Sequence, residues 1–401
     1  MKYLVVIGAG LTDKPIAEKD NQTPLQLADT PNLDRLAREG FSGSVRTIPD
    51  SLDAGNDVSF LSLLGFDPEK HHAAPALFDA VALGVELKDG EVPVCCDFIQ
   101  LQSSHNDMVM KDFTAGNLSD EDAGILLEAL QKQICDVGVR FYPGTGHHHL
   151  MVIQSPPFSG RLTPPHELVG EGIRRYMPEG EEFKEIIHIM NQAQIILHNH
   201  PYNRTRRSEG KDPVNSVWLW GSGRPAGLPP FSGKFHKDAA LVTPSLLLRG
   251  MGISAGMQAD SVPARNGSNS PGNPEPAGAA FQALETREVV FLHVPAGEDV
   301  SLQGNIDDKI LAIEDFDREV AGPLLEGLSS RNDVKMLFVE NQVTSAVLMK
   351  YTKDLVPFVV FPAGSGGNAV SRFDEKILDS GGKYFEDGPS LLAAFLKDAL
   401  P

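Results

Sequence analysis

The sequence predicts an α/β protein with a largely buried sheet. Short, nearly continuous apolar runs recur along the chain, and stretches of helical periodicity lie between them. With 401 residues, 41% of them hydrophobic, the chain can bury a core larger than that of one small domain.

The candidate buried strands are Tyr3–Ile7, Ser216–Trp220, Val289–Val294, Lys335–Val339 and Pro357–Phe361. After the first strand, Thr30-Pro31 predicts a helix start as N-cap and first-turn proline; Leu33 and Leu36 supply the apolar face and Gly40 the stop. Ser119, followed by Asp120, Glu121 and Asp122, predicts a second start, with acids at the positive end of the helix dipole. From Asp307 onward, Ile310, Ile313, Phe316 and Val320 recur at helical spacing. Residues 93–155 differ: alternating segments such as "VRFYPGTGHHHLMVI" predict a hairpin on a smaller sheet. This places the first half of the core at 1–112, an inserted small domain at 113–180 and the second half of the core at 181–401. The stretch 261–280, rich in Pro, Gly, Ser and Asn, is expected to be a flexible loop.

Fifty-four acidic against 35 basic residues give a net charge of −19, a field that repels nucleic acid and anionic membranes. No apolar stretch has the roughly 20 residues a membrane helix needs. The first apolar run is short and meets Asp13-Lys14, a poor signal peptide. Cys95, Cys96 and Cys135 form neither a disulfide framework nor a zinc-spaced set. A cytoplasmic location is expected.

"VVIGAGLTDKP" invites a nucleotide-binding reading, but the fingerprint G-x-G-x-x-G is incomplete. Asp13 stands at the third glycine and Lys14-Pro15 follows. Other segments match a different pattern: "TPLQLADTPNLDRLAREG", "GNDVSFLSLLGFDP", "MVMKDFTAG", "LHNHPYNRTRRSEGKDPVNSVWLWGSG", "FLHVPAGED" and the late "DLVPFVVF". Together, in this order and spacing, they resemble the archaeal-type cofactor-independent phosphoglycerate mutases of the alkaline phosphatase superfamily. The resemblance covers essentially the whole chain. It implies a three-layer α/β/α core holding two divalent metals, interrupted by a smaller α+β substrate domain, and a serine that accepts the phosphoryl group.

The positions that the resemblance assigns to this chemistry carry other residues here. The first metal-binding aspartate falls on Ala9, and the nucleophilic serine falls on Asn56, whose amide cannot carry a phosphoryl ester. Asn56 reads instead as a helix N-cap. Of the second ligand cluster Glu298 remains, while Leu302 and Gln303 replace a histidine and an aspartate. The third cluster falls on Asn341 and Gln342, and the last histidine on Tyr351. An arginine-bearing phosphate element is replaced by the stretch from His71 to Pro75. Asn and Gln offer carbonyl oxygens without the charge that holds a divalent ion. The expectation is a member of the fold without metal cofactors, silent in phosphotransfer, that binds a small anion or acts as a scaffold. The alternative is an active mutase or related phosphotransferase in glycolysis or amino-acid metabolism. It would use Mn, Zn or Mg through ligands such as Glu298, Asp299, Asp57, Glu340 and the histidine triplet 147–149. A third possibility is a different, metal-free reaction in the retained pocket.

The expected small-anion site is basic: Lys111 and Asp112 with His200, Asn203, Arg206 and Arg207. The competing reading has His200 and Asn203 capping turns and the arginines in surface ion pairs. His147-His148-His149 reads as a polar strand face, since at most two of the three can converge. Cys95 and Cys96 point to opposite faces and read as core. Trp218 and Trp220 read as packing, and Asp53 and Asp57 as turn and cap residues.

Overall fold

Eight strands assemble the main sheet in the order Lys383–Phe385, Phe41–Val45, Val356–Phe361, Val334–Glu340, Lys2–Ala9, Val289–Pro295, Ala239–Thr243 and Gln258–Ser261. All run parallel except Val356–Phe361, which is antiparallel to both neighbours. The structure, a computed structural model, describes every residue except 105–106, 135–137, 157, 159, 161, 224–226, 262–274, 363–369 and 381. Cys135 therefore lies outside the described residues.

Strand Lys2–Ala9 is central and its side chains alternate between two buried faces. Leu4 and Val6 join a core with Leu33, Leu36, Ala280, Ile313 and Phe316 from three helices. On the opposite face Tyr3 meets Phe395 of helix Gly388–Leu396 edge-on, 5.4 Å between ring centres. Helices thus cover both faces, giving the expected three layers. Helix Pro31–Glu39 starts after Thr30 and stops at Gly40, as its punctuation predicts, although the Thr30 hydroxyl makes no capping bond. The helix predicted from Asp307 spans Ile306–Phe316, widens through one π-type turn at Asp317–Ala321 and resumes as Gly322–Ser329.

The chain divides into one unit of residues 1–72 with 226–401 and a second of residues 73–225. This corrects the expected boundaries at 112/113 and 180/181. The reason is strand pairing. Glu91–Ser104 pairs antiparallel with Asp107–Asp112, His148–Gln154 and Ser216–Trp220, and Arg140–Thr145 pairs with His148–Gln154. Ser216–Trp220, expected among the buried strands of the large sheet, belongs to this smaller one. The hairpin predicted within 93–155 is present. The predicted loop 261–280 is corrected at its end, where Pro276 opens helix Pro276–Thr286 at its first turn. Residues 262–274 of that loop lie outside the described residues. Among the described residues, no helix is long and apolar enough to cross a membrane.

Candidate functional site

In the large unit the turn after the first strand is tied down by one carboxylate. Glu340, at the end of its strand, accepts the backbone N–H groups of Gly10 at 2.8 Å, Leu11 at 3.0 Å and Thr12 at 3.3 Å. Burial nonetheless pushes its pKa up to about 8, since the three N–H groups and Lys309 offset only part of the desolvation. Gly10 adopts φ +95°, and a Cβ there would lie 2.6 Å from the backbone nitrogen of Glu298. The Gly-Ala-Gly turn therefore permits close approach of two backbones.

Asp13, the residue that spoils the nucleotide fingerprint, is buried against Lys309. The Lys309 ammonium donates to Asp13 Oδ2 at 2.8 Å, to the Thr12 carbonyl at 3.0 Å and to the Thr344 carbonyl at 2.7 Å. Asp13 Oδ2 also accepts the Ala346 N–H at 2.8 Å. A fully buried cation thus spans three segments of the site, and burial lowers its pKa against the pull of Asp13. Lys309 escaped sequence reasoning, yet a signal existed: 309, 313, 316 and 320 lie on one helical stripe, and the other three are apolar.

Of the positions assigned to nucleophile and metal ligands, Asn56, Glu298, Asn341, Gln342 and Tyr351 come together. Asn56 is the first residue of helix Asn56–Leu63, and Gly55 is its cap, which corrects the N-cap reading of Asn56. Its side chain turns into the site instead. Asn56 Nδ2 donates to Glu298 Oε1 at 2.7 Å, and Asn56 Oδ1 accepts from Asn341 Nδ2 and Gln342 Nε2, both at 2.9 Å. The Tyr351 hydroxyl donates to the same Glu298 oxygen at 2.6 Å. Burial raises the Glu298 pKa to about 6, with the Tyr351 and Asn56 donors pulling the other way. Leu302 is buried at the end of helix Glu298–Leu302, Ala9 is buried at the end of its strand, and neither offers a ligand atom. Asp57 acts locally, accepting its neighbour's N–H and pairing with His72 Nε2 at 2.6 Å.

Two divalent cations do not fit this donor set. The hydrogen-bonded cluster holds one carboxylate, whose Oε1 already accepts two donors, and Asn56 points N–H groups where a cation needs lone pairs. Asn341 Oδ1 and Gln342 Oε1 are buried without hydrogen-bond partners, but they are neutral oxygens.

In the small unit, the predicted anion-site residues separate into two groups. Lys111 Nζ pairs with the Asp212 carboxylate at 2.6 Å, and Arg206 Nε donates to the Asp212 carbonyl at 2.7 Å, so these two charges share one residue. Arg206 also donates to the Tyr202 hydroxyl at 3.1 Å. The others serve the backbone. Asn203, fully buried, donates to Leu197 and Val214 carbonyls and accepts the Val214 N–H. His200 caps helix Pro201–Ser208 through Nδ1, Arg207 donates to the His198 carbonyl at 2.7 Å, and Asp112 accepts N–H groups of Thr114 and Gly116.

The model of the 2,3-bisphosphoglycerate-independent phosphoglycerate mutase family matches residues 37–203. The chain is 36% identical to a probable 2,3-bisphosphoglycerate-independent phosphoglycerate mutase of Geobacter sulfurreducens, covering 99% of this chain and 100% of the relative. To the Methanosarcina barkeri 2,3-bisphosphoglycerate-independent phosphoglycerate mutase it is 33% identical, again over 99% of this chain and 100% of the relative. Among solved structures, the PH0037 protein of Pyrococcus horikoshii superposes with a TM-score of 0.72 at 24% identity, covering 100% of this chain and 98% of that one. The cofactor-independent phosphoglycerate mutase of Thermoplasma acidophilum gives 0.51 at 24% identity, covering 100% and 99%. At that identity these structures speak to the fold.

Proposed function

The chain belongs to the 2,3-bisphosphoglycerate-independent phosphoglycerate mutase family, and from that premise we propose that it has lost metal-dependent phosphotransfer and serves as a small-anion-binding or scaffold protein. One observation carries this reading. Where the family resemblance calls for a phosphoryl-accepting serine there is Asn56, and its amide is engaged by Glu298, Asn341 and Gln342. Nucleophilic catalysis needs an oxygen that can be freed of its proton, and metal catalysis needs charged ligands on open lone pairs. This cluster offers an amide at the first position and, at the second, one carboxylate already engaged by Asn56 and Tyr351 beside neutral amide oxygens. The anion would be held at Lys111 and Arg206, whose charges now meet on Asp212.

A second reading, an active mutase using Mn, Zn or Mg, is favoured by the names of the relatives, which describe mutases. Metal content and activity of protein purified without chelator separate the two. The first reading expects no interconversion of 3- and 2-phosphoglycerate and no metal that depends on Glu298. Two ions per chain together with mutase turnover would overturn it. For the anion site, 3-phosphoglycerate should raise the unfolding temperature according to RT ln(1 + [L]/Kd), and Arg206→Ala should abolish that rise.

A further inference from the structure

The small unit buries a second polar cluster that the anion site does not use. Asp79 lies on helix Pro75–Ala82, Cys95 and Asp97 lie two residues apart on one face of strand Glu91–Ser104, and His148 begins strand His148–Gln154 directly across from Asp97. His148 Nε2 is 2.9 Å from Asp79 Oδ2, and Cys95 Sγ is 3.3 Å from that same oxygen. His148 Nδ1 faces Asp97 Oδ1, and Asp97 Oδ2 accepts the Trp220 indole N–H at 2.8 Å. Asp79, Cys95 and Asp97 are each no more than 2% exposed. Gly221 makes room for the sulfur, since a Cβ there would sit 2.8 Å from Cys95 Sγ.

We propose that Asp79, Cys95 and His148 bind one divalent cation of the zinc class, with Asp97 and Trp220 orienting the imidazole. The three ligand atoms lie within 4.8 Å of one another. Bonds of about 2.0–2.3 Å place tetrahedral ligands roughly 3.3–3.8 Å apart, so small side-chain adjustments suffice. A thiolate, an imidazole and a carboxylate together suit zinc, whereas magnesium and calcium take oxygen ligands. The Asp97 carboxylate on the far nitrogen of His148 completes a carboxylate–histidine–metal arrangement that sets the tautomer and aims Nε2 at the ion. Two features of the cluster suit a cation. Two buried carboxylates share one imidazole, and Asp79 Oδ1 is buried without a hydrogen-bond partner. Three protein ligands leave a fourth position for water or an anionic ligand.

The test uses the full chain, stripped with chelator and reloaded with Zn2+ or Co2+. One ion per chain is expected, with a tetrahedral Co2+ spectrum carrying a thiolate charge-transfer band. That band should vanish in Cys95→Ser and persist in Cys96→Ser, whose sulfur lies on the other face. His148→Gln should lose stoichiometric binding, and Asp97→Asn should weaken it about 10- to 100-fold. X-ray absorption on the zinc-loaded unaltered chain needs no variant to fold, and one sulfur with nitrogen and oxygen neighbours is expected. No binding, a shell with no sulfur or with several, or a band that survives Cys95→Ser would overturn the assignment. Because these readouts follow Cys95 and His148, they stay separate from any metal that depends on Glu298.

Discussion

The Asn56 cluster of the large unit and the His148 cluster of the small unit are both hydrogen-bonded polar clusters, but they differ in their groups and in charge. Around Asn56, one carboxylate is surrounded by a phenol and amides, and the two amide oxygens left without partners, Asn341 Oδ1 and Gln342 Oε1, are neutral. Around His148, two buried carboxylates compete for one imidazole, and Asp97 is held below the ordinary carboxylate range because His148 outweighs the cost of burial. The same exchange raises His148 well above its ordinary value against the effect of desolvation. Neutral donors can close a network and remove the need for a cation, whereas clustered carboxylates keep that need.

The sharpest way to break the comparison is to remove, from each unit, the partner of its buried carboxylates: fully buried Lys309 and half-buried His148. Lys309→Met strands Asp13, and His148→Gln in metal-free buffer strands Asp79 and Asp97. Each should lower unfolding free energy by about 3–5 kcal/mol in urea titrations. A loss below about 1 kcal/mol for His148→Gln would show that its carboxylates do not depend on it. Next, Tyr351→Phe removes a donor from buried Glu298 and should cost about 1.5–3 kcal/mol at neutral pH, as for hydrogen bonds to charged groups.

The third change should stabilise. Glu298 has its pKa raised from an ordinary 4.5 to about 6, so over that interval the folded protein retains a proton that the unfolded chain has released. Stability contributed by this group is therefore present below pH 4.5 and falls as pH rises to about 6. Glu298→Gln should remove that decline and gain up to about 2 kcal/mol at pH 7, read as the difference between urea midpoints across pH. An unchanged pH profile would mean Glu298 is ionised as easily in the fold as in the open chain. The smallest effect is expected of Asn56→Ser with added Mn2+. One restored hydroxyl should produce no measurable phosphoglycerate interconversion, because Ala9, Leu302, Asn341 and Tyr351 still supply no charge. Measurable turnover would overturn the proposed loss of phosphotransfer.

Much of the fold could be read along the chain. Tyr3–Ile7, Val289–Val294 and Lys335–Val339 are apolar runs buried on both faces, and Thr30-Pro31 with Gly40 brackets its helix closely. Ser216–Trp220 was legible as a strand but not as a member of the smaller sheet, since an apolar run does not name its partner. The His148 site was less legible still. The triplet 147–149 has no carboxylate or cysteine close in sequence, and the hints of buried charge were two acids inside apolar runs, Asp79 in "PALFDAVAL" and Asp97 in "VPVCCDFI".

By itself, the sequence determined the alternation of elements, the family pattern and the absence of serine at position 56, because residue identity and local periodicity are properties of the chain alone. Tertiary structure decided which groups meet. It brought Glu298, Asn341, Gln342 and Tyr351 onto Asn56 and buried Lys309 against Asp13. It also set Asp79, 69 residues before His148, against that imidazole. Strand pairing and helix packing determine those encounters, and the chemistry of each site follows from the charges they enclose.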